Sequence, residues 1–155
     1  MKAWLLMLTL PLLLAAPAHA TLGGKLESVD SDRARLSPRS MARRSGLGYT
    51  VHEMTLDSGT IAREYTRSDG TVFAVSWVGP QRPDLKRLFG DAYFTRFQND
   101  NKKTSRIRAR RALAAQHSDF VVQTGGHSSA LWGIAFLPMA APSGISLQTL
   151  QQGEQ

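Results

Sequence analysis

The side chains able to move a proton or orient a charged substrate are few: His52, His117 and His127, with Glu53, Glu64 and Arg63. If Tyr49 to Tyr65 folds back on itself, His52 falls opposite Glu64 and Glu53 opposite Arg63. A carboxylate beside an imidazole can tune a proton donor, and a carboxylate–guanidinium pair can orient an anion. Ordinary cross-strand ion pairing explains both juxtapositions equally well, and it is the favoured reading. The alternative is a small enzyme using His52/Glu64 acid–base chemistry, with His127 completing a polar site.

Other chemistries find less support. His117 and His127 flank an expected strand and stand roughly 20 to 25 Å apart at about 3.3 Å per residue, too far to share an ion. His52 and Glu53 are strand neighbours and point to opposite faces. No metal or other cofactor is expected. Ser58, Ser68, Ser128 and Ser129 fall in turns, and no Gly-x-Ser-x-Gly elbow exists for a serine nucleophile. Gly125-Gly126-His127 could shape an anion-binding backbone nest, although a flexible hairpin loop is the preferred reading. Neither a phosphate loop nor a dinucleotide fingerprint is present. No catalytic residue is assigned.

The strongest interaction patch is the run Lys102, Lys103, Arg106, Arg108, Arg110 and Arg111, which contains no acid. An anionic polymer bound there would dissociate steeply with salt, and neutralising the arginines would abolish binding. A solvated connector is the competing account.

These residues must be positioned by the elements around them. Tyr49 to Trp77 contains three β-prone runs separated by Asp57-Ser58-Gly59 and Ser68-Asp69-Gly70, each a type I turn closed by a left-handed glycine. Three-residue loops fix the register: Val51 opposite Tyr65, His52 opposite Glu64 and Glu53 opposite Arg63. A two-residue loop would set Glu53 against Glu64. The same rule in the second hairpin pairs Tyr65 with Phe73 and Ile61 with Trp77. One face then carries Tyr49, Val51, Ile61, Tyr65, Phe73, Val75 and Trp77 as the expected core. Glu53 and Arg63 fall on that face and must pair there.

Asp84 is the expected N-cap of an amphipathic helix to Phe97, with Leu85, Leu88, Phe89, Ala92, Tyr93 and Phe97 at three- and four-residue steps. Gly90 inside it implies close packing or a kink. The basic run is open between a helix running into Ala112-Leu113-Ala114-Ala115, disorder and an alternating edge strand, with helix or disorder preferred. Asp119 to Thr124 and Leu131 to Leu137 read as a further hairpin. The tail from Ser143 to Gln155 offers at best one weak turn of helix around Ile145, Leu147 and Leu150.

Residues 1–20 have the layout of a secretory signal peptide, with Lys2, an apolar run and Ala18-His19-Ala20 before the expected cleavage. The apolar run is shorter than a bilayer span, so no transmembrane anchor is expected after cleavage. The chain lacks Cys, which excludes a disulfide framework, a thiol nucleophile and lipid attachment at a cysteine. Lys2 is the leader's one charged residue, so 18 of the 19 basic residues and all 12 acids remain, a formal charge of +6. For an exported basic protein, anionic polysaccharide, lipid surfaces or an acidic envelope protein rank above nucleic acid as partners, and a surface that is basic for solubility alone ranks above them all.

Several strings together resemble a known family: Leu22-Gly23-Gly24, Tyr49-Thr50-Val51-His52-Glu53, Ser58-Gly59-Thr60 with Arg63-Glu64-Tyr65, Gly70 to Trp77, Pro83-Asp84-Leu85 and Val121 to His127. The sequence resembles the exported proteobacterial family catalogued as domain of unknown function 2844. That resemblance implies an envelope or secreted protein without an assigned activity, and it carries over no functional residue.

The expected architecture is α+β: an antiparallel sheet of about five strands, a three-stranded meander plus a hairpin, with one amphipathic helix packed on it. Residues 1–20 are the leader, 21–48 a loosely structured arm, 49–150 a single domain and 151–155 a tail. The expected function is that of a non-enzymatic binding or accessory protein of the bacterial envelope, periplasmic or secreted.

Overall fold

The computed structural model describes residues 21–25, 39–45, 48–104 and 112–152. The leader, most of the arm, and Arg106, Arg108, Arg110 and Arg111 lie outside the described residues. The rest is an α+β fold around one antiparallel sheet of seven strands rather than about five. In chain order the elements are β1 (Ser40–Ser45), β2 (Tyr49–Thr55), β3 (Ile61–Arg67), β4 (Val72–Gly79), α1 (Leu85–Asn101), β5 (Ala114–Gln116), β6 (Val121–His127), β7 (Ala130–Phe136) and α2 (Leu147–Gln152).

The strand order β1-β2-β3-β4-β7-β6-β5 joins the meander to the second hairpin edge to edge through β4 and β7. The two added strands are the edges. β1 is exposed along its whole length, so backbone pairing with β2 holds it rather than apolar burial. β5 replaces the helix or disorder expected over Ala112 to Ala115, because Ala114, Ala115 and Gln116 pair with Gln123, Val122 and Val121.

The first hairpin has the expected register, with Val51 opposite Tyr65, His52 opposite Glu64 and Glu53 opposite Arg63. Gly59 and Gly70 take φ of 80° and 79°, the left-handed closure that both three-residue turns need. The second hairpin departs from expectation. Thr66 pairs with Val72, but Tyr65 then pairs with Ala74, and Ala62, not Ile61, pairs with Trp77. The extra residue is Phe73, a bulge that flips the rest of β4.

The bulge splits the expected core set between two faces. Val72, Val75 and Trp77 pack with Leu85, Leu88, Phe89 and Phe97 of α1 and with Phe120, Val122 and Ala135. Tyr65, Phe73, Ala74, Ile134 and Phe136 pack on the other side with Leu150, flanked by Tyr49, Val51, Ile145 and Leu147. The tail therefore forms a second helix that closes the second face. Tyr65 and Phe73 still touch, at 6.3 Å between ring centroids, despite the changed register.

Asp84 caps α1 by accepting the Lys86 and Arg87 amide N–H groups at 3.0 and 3.3 Å. Gly90 breaks the helix with φ 74° and ψ 165°, and Thr21 Cβ lies 3.0 Å from where its Cβ would stand. Both the kink and the close packing follow from that one glycine. β6 runs on to His127, so Gly125 and Gly126 belong to the β6–β7 ladder and not to a loop.

Candidate functional site

His52 and Glu64 face each other across β2 and β3 on the α1 side of the sheet, where the exposures fall to 2% and 1%. The Thr66 hydroxyl lies 3.1 Å from His52 Nε2 and 3.3 Å from the Thr50 carbonyl, within hydrogen-bond distance of both. This polar group is closed to a substrate. His127 stands at the exposed end of β6, with β3, β4 and β7 between its strand and β2. Four strand steps of about 4.8 Å put it roughly 19 Å away in the sheet direction alone. The fold does not gather His52, Glu64 and His127 into one site.

Glu53 and Arg63 lie on the opposite face, in its less covered half. Arg63 Nε donates to Glu53 Oε2 at 2.9 Å, and Arg44 of β1 approaches the same oxygen at 3.4 Å. They pair, as their position requires.

His117 and its neighbouring carboxylates tie α1 to the β5–β6 connection. His117 Nε2 lies 2.8 Å from Asp100 Oδ2, and its ring stacks on Phe120. Arg96 donates twice to the Asp119 carboxylate, both bonds at 2.8 Å, and its guanidinium covers the Phe120 ring. Those hydrogen bonds hold the Asp119 carboxyl down at about 2 and raise the Arg96 guanidinium. In the turn between β3 and β4, the Thr71 amide and hydroxyl lower Asp69. Among the described residues, no three His, Asp or Glu side chains gather as a metal site.

The surface feature best suited to a ligand lies where α1 ends beside β5. A groove of about 720 Å³ runs from the end of α1 across the β5–β6 edge to the face that carries Trp132, with Lys103, Thr104, Leu113, Gln123 and Trp132 among its described lining. Its walls are tied down. The Asn101 amide donates to the Phe97 and Ala114 carbonyls at 2.8 and 2.9 Å, locking the helix end to β5. Thr124 Oγ1 accepts the Leu113 amide N–H at 2.8 Å, and Leu113 returns its carbonyl to the Thr124 amide at 2.9 Å. Gln151 of α2 donates to the Gln123 side-chain oxygen at 3.1 Å.

Trp132 completes the groove. It is 41% exposed, and its ring lies over Gly125 of the neighbouring strand. A Cβ on Gly125 would stand 2.6 to 2.8 Å from three indole atoms, so only glycine lets the ring lie there. A second hollow of about 560 Å³ shares Asn101 and Leu113 and adds Arg82 and Lys102. Partial burial lowers the Arg82 guanidinium from its usual value. Among the described residues, neither lining contains a carboxylate. Of the expected basic patch, Lys102 and Lys103 are exposed at this end of α1. Its four arginines lie outside the described residues.

The family described as Protein of unknown function (DUF2844) matches residues 18–150. The chain belongs to that family. No curated protein matches it. Among solved structures, it is similar to the crystal structure of an extracellular protein containing a SCP domain from Bacillus anthracis, at 11% identity and a TM-score of 0.45. That alignment covers 85% of this chain and 52% of the other, so the chain spans about half the length of that structure. Among the described residues of this DUF2844 chain, no helix is long and apolar enough to cross a membrane.

In this DUF2844 chain the groove is what sequence reasoning missed. Trp132 falls within the expected strand Leu131 to Leu137 with nothing to single it out, and Gly125 reads as a loop glycine. The available signal was the pairing of a β6 glycine with a β7 tryptophan, visible only once the hairpin is extended to His127 and Ala130.

Proposed function

We propose that this protein is an exported, non-enzymatic binding or accessory protein of the bacterial envelope, and that its ligand is anionic. The observation that carries this reading is the groove beside β5, which joins an exposed lysine to an exposed tryptophan and has no carboxylate in its described lining. The burial of His52 and Glu64 favours binding over acid–base catalysis, since a general acid must reach the proton it transfers. Export rests on the leader pattern of residues 1–20, and the cysteine-free, basic composition suits a partner met by charge.

The test is affinity capture from an envelope extract by the tagged protein at low and high salt. A component retained at low salt, released at high salt and lost from the Lys102→Gln/Lys103→Gln variant supports the reading. No specific component at either salt, or one indifferent to the lysines, overturns it.

A further inference from the structure

We infer that the groove takes a segment of an anionic sugar chain, with one pyranose ring stacked on the outer face of Trp132 and a uronic carboxylate held by Lys103. This rests on the binding reading above and assigns the class of ligand.

The first argument is the platform. An exposed tryptophan is usually free to swing, but this ring is seated on Gly125, whose missing side chain makes room for it. One face of the indole is spent on the strand and the residue stays 41% exposed. A rigid, flat, apolar surface open to solvent matches the C–H face of a sugar ring, and preorganisation spares the ordering cost of binding.

The rim supplies the second argument. A sugar ring turns hydroxyl groups outward around its apolar face, so a site for it needs polar partners at the periphery of the aromatic ring. Gln123 has its side-chain oxygen satisfied by Gln151, which leaves its amide N–H groups to serve a ligand. The Thr104 hydroxyl lines the same groove. The third argument is charge: Lys103 lines the groove and no described acid opposes it, so a carboxylate on the sugar gains a charge-assisted hydrogen bond. The volume, about 720 Å³, falls within the range of about 300 to 1,000 Å³ usual for ligand sites.

The test is a titration with tri-galacturonate followed by tryptophan fluorescence and calorimetry. Trp77 is buried, so a ligand-induced change outside the leader reports Trp132. The uronide should bind with an emission change, and neutral maltotriose at least about tenfold more weakly, the worth of one charge-assisted bond. Trp132→Ala should lose at least about tenfold in affinity, and Trp132→Phe should recover part of it. Lys103→Gln should weaken the uronide and leave maltotriose unchanged. Unfolding curves of each variant separate lost binding from lost fold.

Uronide binding that survives Trp132→Ala in a folded variant overturns the assignment. So does equal or tighter binding of hexaglutamate or oligothymidylate, which would point to an acidic peptide or a nucleic acid. If no uronide binds while envelope capture still depends on Lys102 and Lys103, the sugar assignment falls and the binding reading stands. If both fail, both fall.

Discussion

Trp77 lies against Gly133: a Cβ on that glycine would stand 2.1 Å from the indole Cζ2. The two residues are direct cross-strand partners on β4 and β7, the pair of strands that joins the meander to the second hairpin. Trp77 is 2% exposed and packs on Phe89 of α1, so the ring has nowhere to go. Gly133→Ala should therefore destabilise by about 3 kcal/mol or more, the upper end of the cost of overpacking a core. A urea midpoint within error of wild type would refute this account of the β4–β7 seam.

Gly125 and Trp132 repeat the arrangement on the other face with a different outcome. Here only solvent lies beyond the ring, so an added Cβ would push it off its seat without compressing a core, and Gly125→Ala should cost about 1 kcal/mol, well below Gly133→Ala. Its larger effect should be on the emission of Trp132, which loses its seat. Denaturation and fluorescence of the two glycine variants side by side provide the comparison. Equal destabilisation would mean that Trp132 is as confined as Trp77.

Much of the fold was legible where local chemistry leaves one choice. The first hairpin was readable because its turn has a left-handed glycine and its charges clash in the other register. In the second, the expected register fails at Phe73. Val72 to Val75 is a continuous apolar run in which alternation cannot mark a bulge, and the turn chemistry stays the same with or without one. Ser40–Ser45 lacks an apolar face altogether, so nothing in its pattern announces a strand. His52 and Glu64 were placed correctly opposite each other, but their depth depends on which face α1 covers, and the bulge decides that. The groove needs Trp132, Lys103 and Gln123 from three separate elements, a convergence beyond the reach of local pattern.

The tail shows why short elements escape a sequence reading. A six-residue helix has too few internal hydrogen bonds to stand alone, so its existence depends on what Leu150 buries. Leu150 is 2% exposed and packs in the cluster of Tyr65, Phe73, Ile134 and Phe136. Leu150→Ala should lower stability by about 2 to 4 kcal/mol with an unchanged denaturant slope. A loss under about 0.5 kcal/mol would mean that the second core closes without α2.

Acid should act partly through Asp119. Its carboxyl is held at about 2 in the folded chain by the two hydrogen bonds from Arg96, against 3.8 for an ordinary aspartate. A folded value below the unfolded one means that the ionised carboxylate stabilises the fold above about pH 4. That contribution fades as pH falls from there through about 2. The pair is exposed, so solvent keeps its contribution small. Asp119→Asn should flatten the decline in stability between about pH 4 and pH 2, and the variant's remaining deficit at neutral pH should be slight. Urea unfolding at a series of pH values measures both. A variant whose acid limb falls as steeply as that of the wild type would show that the Arg96 pair contributes nothing to acid sensitivity.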